Sequence, residues 1–299
     1  MALAKEFGGE IVGCDALQIY RHMDIGTAKP TTADRHAVPH HMIDLRDPGE
    51  DFSAGDYQRL GRDALNQIVR QGRLPIVAGG TGFYLRALID GLFAGPGRSE
   101  AMRVRLRRII ERRGSERLHR ILLHSDPRAA ARISPADGAR IIRALEVIWT
   151  TGTALSKWQE RPRESLAGFR WLRLGIAWPR DELYRRIDRR VEEMFEAGFA
   201  GEVRSLLSRF PRDCHAFKAI GYRQSALHLE GLLTLEEARA DTQRETRRYA
   251  KRQMTWFRSD PSIIWLECRA DPSELLLLAS EEVRRFLADS PQPDSRSAG

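Results

Sequence analysis

Asp15 closes the short apolar run EIVGCD (10–15), which places a carboxylate at the C-terminal end of a predicted strand. There it could accept a proton as a general base or hold a metal-bound water, and it could equally cap the segment that follows. GGTGFY (79–84) follows another such run and precedes helical spacing. Glycines at a strand-to-helix turn free N–H groups to face an anion, and Thr81 adds a hydroxyl, although a tight turn alone would need the same glycines. MDIGTAKP (23–30) offers Thr27 and Lys29 to a phosphate or an RNA backbone, or is a solvated turn. AIGYRQ (219–224) sets Arg223 just after a Gly-Tyr turn, where a guanidinium fork suits a diphosphate; a surface ion pair is the ordinary alternative. TRRYAKRQMTWFR (246–258) interleaves Arg247, Lys251, Arg252 and Arg258 with Tyr249, Trp256 and Phe257. Cations for phosphates among aromatics for stacking make an RNA-binding composition, and an amphipathic helix with Tyr249 and Trp256 in its core reads the same way. His40 and His41 have no third ligand at metal spacing, which favours structural roles.

These groups need elements to hold them. The runs at 10–15, 40–45 (HHMIDL) and 74–80 (LPIVAGG), with helical spacing from Tyr57 to Arg70, predict a parallel sheet with ligands at its strands' C-terminal ends. Ala2–Phe7 reads as the end of a helix closed by Gly8-Gly9. From 99 to 159 the pattern is helical and basic, with nine arginines in the 23 residues 98–120, and predicts an inserted helical subdomain. The α/β core then comprises 1–98 and 160–288, with strands around 169–178 and 262–268 and helices over 180–197 and 235–257. The tail 289–299 lacks apolar residues and is expected to be disordered.

The 299 residues are 42% hydrophobic, enough for one large or two modest cores. No apolar run reaches the length of a membrane span, and the N-terminus is too polar for a secretory signal. Cys14, Cys214 and Cys268 are scattered and odd in number, which suits free thiols in the cytoplasm. The net charge of +8 invites a polyanionic partner, although 44 arginines against 5 lysines also suit a GC-rich genome.

Taken in order, DALQIYRHMDIGTAKP, HHMIDLRDPGEDFSAGDYQ, PIVAGGTGFYLRALIDGL, ARIIRALEV, AIGYRQ and TRRYAKRQMTWFR closely resemble the bacterial tRNA dimethylallyltransferases, from about residue 2 to about residue 266. The resemblance implies a core built like a P-loop nucleotide kinase, α/β with a parallel sheet flanked by helices. It implies an inserted helical domain that grips the anticodon stem-loop of tRNA. The reaction implied is transfer of a dimethylallyl group from dimethylallyl diphosphate to N6 of the adenosine 3′-adjacent to the anticodon, with Mg2+. Asp15, Thr81 and Arg223 match catalytic positions, and Thr81 and Arg223 also match contacts to the diphosphate. The tRNA-contacting positions carry over to Asp15, Ala16, Leu17 and Gln18, and in the insert to Ala139, Arg140, Ile141, Ile142 and Arg143. They continue with Lys218, Ala219, Ile220, Gly221, Tyr222 and Arg223. The last group is Lys251, Arg252, Gln253, Met254, Thr255, Trp256, Phe257 and Arg258. A cytoplasmic monomer with no membrane partner is expected.

That family opens with a strand, a phosphate loop of the G-x-x-x-x-G-K-[ST] type and a helix, and the loop's hydroxyl would hold Mg2+. Here Ala2–Phe7 matches the end of that helix, and no Gly-Lys dipeptide occurs. The expectation is a start codon set too far downstream, with true truncation as the other possibility. On either, the chain as it stands should bind tRNA and transfer weakly or not at all. A non-catalytic tRNA-binding remnant is the competing reading. A small-molecule kinase relative is a third, against which the block at 246–258 argues.

Overall fold

The computed structural model describes residues 1–93, 95–268 and 272–289. It begins with α1 (Ala2–Glu6), which gives way at Gly8, φ 61°, to the fully buried β1 (Gly9–Gly13). α2 (Thr32–Ala37), β2 (His40–His41), α3 (Ala54–Arg70), β3 (Leu74–Ala78) and α4 (Gly82–Asp90) follow. β1 lies between parallel neighbours, with Ile11 opposite His40 on one side and Gly9 to Gly13 opposite Leu74 to Ala78 on the other. α3 starts with a capping box between Ser53 and Asp56 and buries Tyr57, Gly61, Ala64, Leu65 and Ile68 at helical spacing. The Tyr57 hydroxyl donates to the Gly13 carbonyl at 2.9 Å and ties the helix to the central strand.

The run HHMIDL forms a strand only at its first two residues. Met42 and Asp44 turn to φ 64° and 55°, because the Asp44 carboxylate is drawn to Lys29 Nζ at 2.7 Å and Arg35 at 2.6 Å.

Two compact units divide the chain: 1–89 with the residues from 167 onward, and 90–166. The inserted unit holds α5 (Glu100–Arg113), α6 (Ser115–Ser125), α7 (Pro127–Ala130), α8 (Gly138–Thr151) and α9 (Leu155–Gln159) around Leu106, Leu118, Leu122, Ile141 and Leu145. It is wider than 99–159 because its two connecting stretches already lie together. Ser165 Oγ donates to the Asp90 carbonyl at 3.4 Å, and a Cβ on Gly91 would stand 2.3 Å from the Glu164 oxygen.

Inside that unit, Glu146 is fully buried and accepts from Arg103 at 2.8 Å, Arg143 at 2.7 Å and the Ser99 N–H at 2.7 Å. Burial alone would raise its carboxyl, but these partners outweigh it and hold it down to about 2. A carboxyl depressed by folding contributes stability that is complete above its unfolded value near 4.5 and is lost as pH falls toward about 2. Glu146→Gln should therefore lower the unfolding free energy at pH 7 by about 3 kcal/mol. The difference from wild type should shrink below about pH 4.5, and parallel thermal melts at pH 7 and pH 3 check both statements.

The first unit resumes with β4 (Leu174–Ala177), α10 (Arg180–Glu196) and α11 (Phe199–Leu207), and after a 3-10 turn (His215–Lys218) come α12 (Tyr222–Leu229), α13 (Leu235–Arg258), β5 (Ile264–Glu267) and α14 (Pro272–Ala288). β4 and β5 pair in parallel, Leu174 to Ile264 through Ala177 to Glu267, so the described strands form two parallel ladders rather than one continuous sheet. A core of Val191, Phe195, Phe199, Val203, Phe217 and Tyr222 joins α10, α11 and α12. Of the tail 289–299, residues 290 onward lie outside the described residues. Among the described residues no helix is long and apolar enough to cross a membrane.

Candidate functional site

The parallel pairing of β1 with β3 brings their C-terminal ends side by side, where parallel α/β sheets place ligands. The Cys14 N–H donates to the Ala78 carbonyl at 2.8 Å, and the Thr81 N–H returns a bond to the Cys14 carbonyl at 3.1 Å. The Ala16 N–H donates to Thr81 Oγ1 at 3.2 Å, so Asp15 and Thr81, 66 positions apart, stand on one short bridge. Gly79 makes this possible. Its φ is 154°, and a Cβ there would lie 2.3 Å from the Cys14 oxygen, inside the contact any side chain tolerates.

Half-buried Asp15 accepts from the Leu17 N–H at 2.8 Å and the Gln18 N–H at 3.2 Å, both on Oδ1. It does cap the turn that follows. Oδ2 has no hydrogen-bond partner in the protein among the described residues. Cys14 beside it is buried, and that burial pushes its thiol up to about 11.

α13 closes over this bridge with residues at helical spacing. Gln253 Nε2 donates to the Gly80 carbonyl at 2.9 Å, and a Cβ on Gly82 would stand 2.2 Å from the Trp256 indole nitrogen. One turn earlier on the helix stands Tyr249, 38% exposed. Burial, and then the Asp15 charge, push its phenol above the ordinary value. The block 246–258 is therefore split by face. Gln253 and Trp256 contact the 79–82 loop, Met254 and Phe257 are half-buried, and Lys251, Arg252, Thr255 and Arg258 are exposed.

The loop 23–30 is neither phosphate site nor solvated turn. Lys29 Nζ is buried against the Tyr20 carbonyl at 2.7 Å, Asp44 at 2.7 Å and Asp24 at 2.8 Å, and Thr27 Oγ1 donates to the Met23 carbonyl at 2.6 Å. Glu202, which no sequence motif announced, collects the N–H groups of Asp24, Ile25 and Gly26 at 2.9, 2.7 and 3.2 Å and the Tyr222 hydroxyl at 2.7 Å. It anchors that loop to the start of α12.

Arg223 is exposed at that helix start, 3.5 Å from Asp241, and Gln224 holds the same carboxylate at 3.0 Å. Lys218 is exposed, Ala219 and Ile220 are half-buried, and Gly221 and Tyr222 are buried. In the inserted unit, Ala139 and Arg140 are exposed. The side chains of Ile141 and Ile142 instead fill that unit's core, and Arg143 is bonded to Glu146 and to the Pro96 carbonyl at 2.9 Å, so these three do not offer free side chains to a ligand. His41 is 2.6 Å from Glu10 and His40 2.7 Å from the Val38 carbonyl, both structural contacts. Cys14, Cys214 and Cys268 are free thiols.

The family described as IPP transferase matches residues 18–260. A tRNA dimethylallyltransferase of Koribacter versatilis is 49% identical over 276 residues, covering 92% of this chain and 90% of its own length. The crystal structure of a full-length tRNA isopentenylpyrophosphate transferase of Bacillus halodurans is 38% identical, with a TM-score of 0.67 over 96% of this chain and 92% of its own. A eukaryotic dimethylallyltransferase caught acting on tRNA superposes with a TM-score of 0.78 at 27% identity, over 98% of this chain and 77% of that one.

Proposed function

The chain belongs to the tRNA dimethylallyltransferase (IPP transferase) family of enzymes, and from that we propose that it carries a dimethylallyl group from dimethylallyl diphosphate to N6 of the adenosine 3′-adjacent to the anticodon. One observation carries the roles of Asp15 and Thr81: a carboxylate with a free oxygen and a hydroxyl share a bridge at the ends of two parallel strands.

The exocyclic amine of adenine delocalises its lone pair into the ring and is a poor nucleophile. In the proposed step the N6 lone pair forms a bond to the allylic carbon while that carbon's bond to the diphosphate oxygen breaks. The electron pair leaves with the diphosphate, and the amine proton goes to Asp15 Oδ2. Thr81 and Arg223 supply a hydroxyl and a fork of N–H donors toward the departing oxygens. The exposed Lys251, Arg252 and Arg258 on α13, and the exposed Arg140 of the insert, take tRNA phosphates. Flipping the target base out of the anticodon loop costs a few kcal/mol, which phosphate contacts offset. Mg2+, when bound, would offset charge on the departing diphosphate; it needs few protein ligands, so the lack of three converging His, Cys, Asp or Glu side chains among the described residues does not bear on it.

The direct test is single-turnover incubation of unmodified tRNA and labelled donor with protein in excess, conditions that read even the slow transfer expected of a chain without a Gly-Lys dipeptide. Label should enter wild-type tRNA and stay out of a transcript whose 3′-adjacent adenosine is replaced by guanosine; equal labelling of both contradicts the proposal. Arg223→Ala should lower the transfer rate by about 10²-fold, the scale of one lost oxyanion donor, with little change in tRNA affinity. If Arg223 serves only its ion pair with Asp241, single-turnover rates will not move and stability will fall by at most about 1 kcal/mol.

A further inference from the structure

Arg86 has no part in the chemistry proposed for Asp15, Thr81 and Arg223. It lies on α4, whose first residue is Gly82, and its guanidinium carbon stands 4.3 Å from the centre of the Trp256 ring. That indole also covers Gly82, so Arg86 is stacked directly beside the 79–82 loop. Its side chain is exposed, and among the described residues it makes no ion pair. One turn earlier on the same helix, Phe83 is 53% exposed, and Trp256 itself is 38% exposed. An arginine held over an indole keeps its N–H edges available, and the stacking removes much of the freedom that a phosphate contact would otherwise have to freeze. The exposed cations Lys251 and Arg252 lie one turn before Trp256 on α13, so the charge continues from that helix onto α4.

We propose that Arg86, held over Trp256, binds a phosphodiester of tRNA and extends the RNA-contacting surface from α13 onto α4. This rests on tRNA being the substrate and adds a residue on a separate helix to its binding surface. The occupant is the RNA backbone rather than the donor's diphosphate, because the chain carries +8 and the neighbouring exposed groups are cations and aromatic rings, the pairing that suits a nucleic acid.

The test measures binding of an unmodified tRNA transcript over a salt series with wild type, Arg86→Gln and Arg86→Lys. Arg86→Gln should weaken binding about five- to tenfold at physiological salt and reduce the slope of log K against log salt by about one phosphate contact. Arg86→Lys keeps the charge and loses the fork, so it should hold the slope and lose part of the affinity. The apparent KM for dimethylallyl diphosphate should be unchanged in both. An Arg86→Gln slope equal to wild type overturns the proposal, and so does an Arg86→Lys slope as shallow as that of Arg86→Gln. A change confined to the donor KM overturns it in favour of the diphosphate. Wild-type protein with no salt-dependent tRNA binding would remove the tRNA reading as well, which sets that failure apart from the failure of Arg86 alone.

Discussion

Asp15→Asn is expected to lower single-turnover transfer to tRNA by about 10³-fold, within the range of a lost general base. tRNA affinity should stay within a few-fold. The geometry makes this substitution unusually clean. The amide oxygen can still accept from the Leu17 and Gln18 N–H groups, so the turn from 15 to 18 keeps its cap. What disappears is the proton-accepting oxygen facing away from that cap. A variant that turns over near the wild-type rate would show that Asp15 only caps its turn, and that another group takes the amine proton.

Gly79→Ala should be nearly as damaging by a different route. Its Cβ would stand 2.3 Å from the Cys14 oxygen and 2.5 Å from the Cys14 carbonyl carbon, and both are backbone atoms that no rotamer change can move aside. The ends of β1 and β3 must separate, at a cost of about 3 kcal/mol, which lowers the melting temperature by roughly 5–10 °C. Separation also pulls Thr81 from the Ala16 N–H and misplaces it against Asp15. A displacement of about 1 Å at reacting groups can cost 10²-fold in rate, so the folded fraction should transfer slowly too. Thermal melts with rates corrected for folded protein separate the two losses. Wild-type stability and rate in this variant would mean that the bridge does not assemble the site.

Much of this architecture is legible in the amino-acid sequence. Runs ending in small residues and an aspartate mark β1 and β3, and Ser53 with Asp56 marks the start of α3. The site's two central residues follow from those strand ends. Partners far apart in sequence are not legible in the same way. Lys29 looks available in a polar loop, yet Tyr20, Asp24 and Asp44 enclose it, and only the fold makes Asp44 a neighbour. Glu202 sits 176 to 178 positions from the N–H groups it receives, and nothing in FAGEVRSLL announces that. The run HHMIDL has strand composition, but the pull on Asp44 bends it out of β geometry after two residues. Matching by motif block also carries Ile141 and Ile142 toward tRNA together with Arg140, although helical geometry turns the two isoleucines into the insert's core. The same periodicity divides α13 between cations in water and the Gln253 and Trp256 face that seats the 79–82 loop.

The most direct measurement of the central claim is nucleoside mass spectrometry on tRNA incubated with the protein and deuterated dimethylallyl diphosphate. A deuterated dimethylallyl group is expected on N6 of the adenosine 3′-adjacent to the anticodon, and is expected to be nearly absent when the protein carries Asp15→Asn. A prenyl group at any other nucleoside, or equal yields from both proteins, would contradict it.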